Sequence, residues 1–388
     1  MKFRNLNLFL IAILILGSFL GCAKKVTETP EETQEANSEF YGNDTLEIQN
    51  IQGDVYVAIA APLTGPYREL GNSILEGANF AIEEFNESSK TKVGTIVIDD
   101  GGIVSEGMAR ANLVSEQNAL GVIGHLNSSI TLETSSIYSR NKIATLSPAS
   151  TNPKITERPN LRGFVYRTIG TDRQLGEIAA NFVKKNDQFK NIAVLYNDRP
   201  YGISVASEFV RELAKSEDHR LVFYQTIPVR TDKHEATAKK VARTEPDLVF
   251  FIGEYNDAGY LVKALKKELP KVQFLGAEGI HHKEFIKIAG NEAEGTIVIG
   301  AKSIQDPSFA SKFTQRYGKR PSGYVSTSYT AAKVLLNAIK ENKFKNAEAI
   351  SVSLSRNPLF DPNGDLIQPG FSIYQVKNNE FIDLQPAS

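Results

Sequence analysis

From about residue 54 onward, short runs of aliphatic and β-branched residues alternate with stretches in which apolar positions recur every three or four residues. Val55-Tyr-Val-Ala-Ile-Ala60 and Thr95-Ile-Val-Ile-Asp99 read as strands. Between them Ile74, Ala78, Ala81, Ile82 and Phe85 share one face of a helix predicted from Ser73 to Phe85. A helix through Ala109 to Gln117 follows. Then come two apolar runs, Gly121-Val-Ile-Gly-His-Leu-Asn-Ser-Ser129 and Leu146-Ser-Pro-Ala-Ser-Thr-Asn-Pro153, each ending in small hydroxyl-bearing residues and each followed by a helical pattern. This rhythm predicts a parallel sheet covered by helices on both faces.

The same rhythm restarts at Asn191-Ile-Ala-Val-Leu-Tyr196, with further strands at Arg220–Tyr224, Asp247–Ile252 and Gln273–Gly276. Helices are expected at about Ile203–Ala214, Glu235–Arg243 and Ala258–Lys267. Phe164–Thr171 reads as a crossing strand, Gly295–Gly300 as the strand that closes the second sheet, and Ser326–Lys340 as a helix returning to the first. The expected fold class is α/β, with two doubly wound parallel-sheet lobes joined by a three-segment hinge. The lobes are expected to comprise residues 53–168 with 302–358, and 169–301 with 359–388. Such lobes leave a cleft between their strand ends, and a clamp of this kind needs no cofactor.

At the carboxyl end of parallel strands, backbone N–H groups are free and the next helix presents its positive end. Ser128, Ala149 and Thr151 are therefore candidates for holding a small anion, although Ser and Thr also cap helices for purely structural reasons. Lys and Arg number 44 against 45 Asp and Glu, so the net charge of −1 shows no sign of a nucleic-acid partner. Cys22 is the only cysteine, which excludes an internal disulfide.

Residues 1–21 read as an export signal. Lys2 and Arg4 make a basic start, and the apolar run from Leu6 to Leu20 is short of the roughly 20 residues a membrane span needs. Phe19-Leu-Gly-Cys22 resembles the lipobox of bacterial lipoproteins, with Phe19 departing from the usual Leu; the resemblance implies a lipidated Cys22. Residues 22–52, rich in Glu, Thr, Gln and Asn and without periodicity, are expected to form a disordered tether. The protein is expected on the extracytoplasmic side of a membrane, in the periplasm or on the outer face of the cell.

The folded part resembles the periplasmic binding proteins for leucine, isoleucine and valine, the receptors of branched-chain amino-acid ABC transporters. The resemblance runs from about Val55 to Phe381. It is carried by the order and spacing of Pro62-Leu-Thr-Gly-Pro66, Gly77-Ala78, Asp99-Asp100, Val122–Ser129, Ser147–Pro153, Tyr201-Gly202, Ala277-Glu-Gly279 and Asp361-Pro-Asn-Gly-Asp365. It implies that Ser128, Ala149 and Thr151 hold the carboxylate and part of the ammonium of an amino acid, and that Glu278 pairs with the ammonium. Tyr201 falls at an aromatic that closes over the ligand's backbone, and Tyr255 at or one place from a second. Leu70 falls at the side-chain pocket, with Tyr67, Asn127, Ser326 and Tyr329 as further wall residues and Glu254 as a second acid. The ligand is expected to be a branched-chain or similar amino acid, with polar ones close behind. The implied partners are an ABC permease and its ATPase subunits, served by a monomer. The alternative is an amino-acid or amide sensor lipoprotein working through a separate signalling chain.

Other chemistries find less support. His125 lies three residues before Ser128, but no Gly-x-Ser-x-Gly elbow occurs, so catalysis is not expected. Glu278, His281, His282 and Glu284 cluster like metal ligands, yet a matching pair is missing elsewhere and a solvated loop is expected. No Gly-x-x-x-x-Gly-Lys motif is present, which places any ATP-driven step on other chains.

Overall fold

The structure, a computed structural model, describes residues 49–229, 231–304, 306–368 and 370–384. The expected leader, Cys22 and the tether as far as residue 48 lie outside the described residues. Among the described ones no helix is long and apolar enough to cross a membrane.

Six strands form the first sheet: β1 (Gln49–Ile51), β2 (Val55–Ala61), β3 (Val93–Asp99), β4 (Val122–Gly124), β5 (Thr145–Ser147) and β6 (Val165–Arg167), in the order β1-β3-β2-β4-β5-β6. All pairs are parallel except β1 with β3, and β1 falls within the stretch read as tether. The alternation of side chains along a strand decides which helix each residue meets. Val57, Ile59 and Ala61 pack with Leu70, Ile74 and Ala78 of α1 (Arg68–Ser88). Ala58 and Ala60 turn instead to Ala111 and Val114 of α2 (Val104–Glu116) and to Ile137 and Tyr138 of α3 (Ser128–Arg140).

Seven strands form the second sheet: β7 (Asn191–Asn197), β8 (Arg220–Ile227), β9 (Leu248–Ile252), β10 (Gln273–Gly276), β11 (Ile297–Ala301), β12 (Phe371–Lys377) and β13 (Glu380–Asp383), ordered β13-β12-β11-β10-β9-β7-β8. The expectation that Gly295–Gly300 closes this sheet is corrected. The strand β11 pairs on with β12, and β12 with β13, both antiparallel. Asn378 and Asn379, at φ 54° and 62°, make the tight turn between the last two, a conformation Asn tolerates better than most residues.

The remaining helices are α4 (Asp172–Lys184), α5 (Pro200–Leu213), α6 (Glu235–Ala242), α7 (Tyr255–Glu268), α8 (Lys283–Ala289), α9 (Pro307–Tyr317), α10 (Gly323–Glu341) and α11 (Ala347–Leu354). Four helices start earlier than their apolar periodicity indicates: α1 before Ser73, α5 before Ile203, α7 before Ala258 and α10 before Ser326. Their opening turns carry Leu70, Tyr201, Tyr255 and Tyr324, all buried. The chain passes between the two sheets three times, from β6 into α4, from β11 into α9 and α10, and from α11 into β12.

The third passage is tied down by a buried cation. Arg167, wholly buried at the end of β6, pairs through Nε with Asp365 Oδ1 at 2.6 Å. Its Nη1 donates to the carbonyls of Ser150 at 3.2 Å and Asn152 at 3.1 Å, and its Nη2 donates to Thr156 Oγ1 at 2.6 Å. Asp361 shapes the Asp361-Pro-Asn-Gly-Asp365 segment by accepting from the backbone N–H groups of Asn363 and Asp365. Gly364, at φ 98°, brings its carbonyl onto the Arg167 N–H at 3.0 Å. One guanidinium thus fixes both the third crossing and the loop after β5.

Two stability outcomes follow from this packing. Removing the Arg167 charge takes the ion partner from Asp365 and a donor from the Ser150 and Asn152 carbonyls, so Arg167→Met is expected to lower unfolding free energy by about 3–5 kcal/mol in urea titrations. Gly77 lets α1 approach α10, because a Cβ there would lie 2.3 Å from the Val325 carbonyl oxygen. Gly77→Ala is expected to cost about 1–3 kcal/mol in the same measurement, where most helix-interior Gly→Ala changes stabilise.

Candidate functional site

The carboxyl ends of both sheets' parallel strands face one gap, and the loops that follow them are held by short-range polar contacts. After β5, the Ser147 hydroxyl donates to the His125 carbonyl at 3.0 Å and accepts from the Ser150 N–H at 3.0 Å. The Ser150 hydroxyl donates to the Leu126 carbonyl at 3.0 Å and meets Thr131 Oγ1 at 2.6 Å. Ser128 Oγ accepts the Asn152 N–H at 3.4 Å. Because α3 begins at Ser128, its first N–H groups have no acceptor within the helix. Together with Arg167 gripping the Ser150 and Asn152 carbonyls, this leaves N–H groups and hydroxyls as the chemistry the first sheet offers to the gap.

The second sheet offers carboxylates. Glu278, 4% exposed, stands in the short 3-10 turn Glu278–Ile280 after β10. The Tyr201 hydroxyl donates to its Oε2, and the Tyr324 hydroxyl donates to its Oε1 at 3.4 Å. Burial pushes the Glu278 carboxyl up to about 8, the nearby Asp172 and Glu254 charges push the same way, and the Tyr201 hydrogen bond pulls against them. Asp172, at the start of α4, is pushed up by burial to about 6 against the pull of the Thr151 and Ser204 hydroxyls. Glu254, after β9, accepts from Asn197 Nδ2 at 3.0 Å.

Between these walls lies a narrow cavity of about 30 Å³, room for a water molecule or two. Of the residues expected from sequence, Ser128, Ala149, Thr151, Tyr201 and Glu278 line it, as do Leu70 and Asn127. The two sheets' surroundings meet across it: Asn152 Nδ2 donates to the Pro200 carbonyl at 3.1 Å, and the Tyr255 hydroxyl donates to the Pro66 carbonyl at 2.8 Å.

Four expected residues stand elsewhere. Tyr255 braces the rim through Pro66, and its neighbour Glu254 lines the cavity in its place. Tyr67 is fully buried beneath the Arg199 guanidinium, 5.0 Å from its ring centre. Ser326 Oγ accepts from the Ile304 N–H at 3.1 Å, and the Tyr329 hydroxyl donates to Glu84. At about 100° per residue these two α10 positions point away from Tyr324, the residue of that helix that does line the cavity. Sequence reading did not single out five lining residues: Leu126, Ser129 and Gly279, which adjoin predicted residues within the motifs, and two residues at helix starts, Tyr324 and Arg199. The last two precede the periodic part of their helices, and the signals available were Ser322 as an N-cap and Pro200 at a first helical position.

The histidines are otherwise engaged. His125 is enclosed, with Nδ1 2.6 Å from Asp100 Oδ2 and Nε2 3.1 Å from the Tyr138 hydroxyl. The solvated loop expected around His281 and His282 is corrected. His281 stacks 4.1 Å from Tyr374 and 4.7 Å from Phe381, and the buried His282 accepts the Glu284 N–H at 3.3 Å to cap α8. Burial lowers them to about 3 and about 4, so both are neutral at physiological pH. Among the described residues no group of three or more His, Cys, Asp or Glu could hold a metal ion.

With this geometry established, comparison with known proteins becomes informative. The family described as "Periplasmic binding protein" matches residues 54–373. The leucine-specific-binding protein of Salmonella typhimurium is 30% identical over 339 residues, 83% of this chain and 90% of that one. The leucine-, isoleucine-, valine-, threonine- and alanine-binding protein of Pseudomonas aeruginosa is 28% identical over 338 residues, 83% of this chain and 89% of that one. Among solved structures, a leucine-binding protein of Thermotoga maritima superposes with a TM-score of 0.78 at 24% identity, covering 85% of this chain and 97% of that one. A branched-chain amino-acid transporter substrate-binding protein of Streptococcus pneumoniae, solved with isoleucine, gives 0.77 at 18% identity, covering 85% and 99%. The two-sheet clamp, its strand-end cleft and a match spanning residues 54–373 together make this chain a member of the periplasmic binding protein family.

Proposed function

We propose that the chain captures a free amino acid in the cleft and delivers it to an ABC permease, while a lipid on Cys22 keeps it at the membrane surface. The observation that carries this reading is a buried acid, Glu278, facing a wall of N–H groups and hydroxyls at Ser128, Ala149 and Thr151 across a cavity. A zwitterion sealed between two lobes loses the hydration of both poles, and each must find a partner. The carboxylate is taken by the Ser128, Ala149 and Thr151 wall. The ammonium takes the Glu278 oxygens that Tyr201 and Tyr324 now occupy, and Tyr201 closes over the backbone. Branched-chain ligands named for the relatives, and the isoleucine in one structural neighbour, support an amino acid as the guest. Phe19-Leu-Gly-Cys22 supports the anchor.

Proton traffic at Glu278 makes the reading testable. With its carboxyl pushed up to about 8, the group is mostly protonated at pH 7, and an arriving ammonium favours the charged form. Binding is therefore expected to release protons below about pH 8 and to tighten as pH rises toward that value. Titration calorimetry against the twenty amino acids, in buffers of different ionisation enthalpy, reads both effects. Glu278→Gln is expected to weaken the best ligand by about 2–5 kcal/mol and to abolish the proton release. Unchanged affinity in that variant, or no amino acid bound by the native chain, contradicts the proposal.

A further inference from the structure

Two of the hydrogen bonds that span the gap come from residues that do not line the cavity. The Tyr255 hydroxyl, at the start of α7, donates to the Pro66 carbonyl at 2.8 Å, and Asn152 Nδ2, in the loop after β5, donates to the Pro200 carbonyl at 3.1 Å. Both donors are buried, at 6% and 5% exposure. Each bond nevertheless adjoins the lining in sequence: Asn152 follows Thr151, Pro200 stands between Arg199 and Tyr201, and Tyr255 follows Glu254.

Each partner is held by its own side of the gap. Asn152 Oδ1 accepts the Lys154 N–H at 3.0 Å, its backbone N–H donates to Ser128 Oγ at 3.4 Å, and its carbonyl accepts from Arg167 Nη1 at 3.1 Å. The Tyr255 ring lies against His282, with centres 5.3 Å apart. Pro66 closes a loop that Asp99 ties to the first sheet, its Oδ1 accepting the Leu63 N–H at 2.8 Å and its Oδ2 the Thr64 hydroxyl at 2.5 Å. Pro200 opens α5 with its φ fixed by the ring. Groups already held in place lose little side-chain freedom on meeting, so most of the gain from each bond remains to favour closure. A guest sealed in a clamp binds the closed arrangement, and its apparent affinity falls with the fraction of molecules that adopt it. A contact between the two sides that spares the guest therefore scales every affinity by one factor, whereas a contact to the guest's side chain changes the order of preference.

Resting on the reading of the cleft as an amino-acid site, we propose that Tyr255 and Asn152 are positioning residues that latch the two sides of the gap together through the Pro66 and Pro200 carbonyls. They set how long a bound amino acid stays and take no part in choosing it. This role differs from the one that the resemblance implied for Tyr255, an aromatic against the ligand itself.

The test is calorimetry and stopped-flow dissociation on the full chain with the twenty amino acids. Tyr255→Phe keeps the ring against His282 and removes only the donor. Tyr255→Phe and Asn152→Ala are each expected to weaken every amino acid that the native chain binds by a common factor of about threefold to tenfold, mostly through faster dissociation. Melting curves without ligand report whether each variant is folded, and should Asn152→Ala fail to fold, Tyr255→Phe decides alone. Unchanged affinity in a folded variant, or losses that differ between amino acids by more than about threefold, overturns the assignment. Should Glu278→Gln weaken binding while Tyr255→Phe binds as tightly as the native chain, the amino-acid reading stands and the latch falls. Should the native chain bind no amino acid, both fall.

Discussion

A carboxyl group sealed from water dominates the design of this cleft. Glu278 is 4% exposed, with Asp172 and Glu254 as buried neighbours that raise its energy further when it ionises. No cation of the described residues forms an ion pair with it. Two tyrosine hydroxyls supply its hydrogen bonds, enough to make a protonated acid tolerable but a weak answer to a full negative charge. Ionising Glu278 therefore carries an electrostatic cost, and the opposite wall of the cavity presents N–H groups and hydroxyls, the pairing on which the proposed zwitterion site rests.

The fold exists to hold those two walls at the right distance. Parallel strands deliver their carboxyl ends to one gap, and the helix starts that follow them carry unmatched N–H groups. Arg167 fixes the loop after β5 and, through Asp365, joins it to the third crossing between the sheets. Asn197 performs a similar service on the other side, setting Arg199 and Glu254. Each anchor sits beside a segment where the chain passes between the sheets or where their surroundings touch.

Apolar periodicity made much of this legible. The strands β2, β3, β7, β9 and β10 fell where their aliphatic runs lie, because strands buried on both faces are nearly continuous hydrophobic stretches. The edges were less readable. The short β1 and the β12–β13 hairpin lie in sequence that looks like tether or tail, though alternation around Asn378-Asn379 carried the hairpin signal. Helix beginnings were the systematic blind spot. Tyr324 and Arg199 sit in or just before opening turns, ahead of the apolar rhythm of their helices. Cap residues such as Ser322 and Pro200, rather than periodicity, mark those turns. Site residues that lie within the motifs, Ser128, Ala149, Thr151, Tyr201 and Glu278, line one cavity; the wall residues Ser326 and Tyr329, which lie outside them, do not.

The demand for both poles is the core of this account, and dissecting the ligand tests it most directly. The amino acid that binds best should be compared by calorimetry with its decarboxylated amine and with its deaminated acid. Each single-pole analogue is expected to bind about a hundredfold more weakly or worse, because it leaves one wall of a sealed cleft unmatched. An amine or an acid that binds as tightly as the intact amino acid would contradict the account.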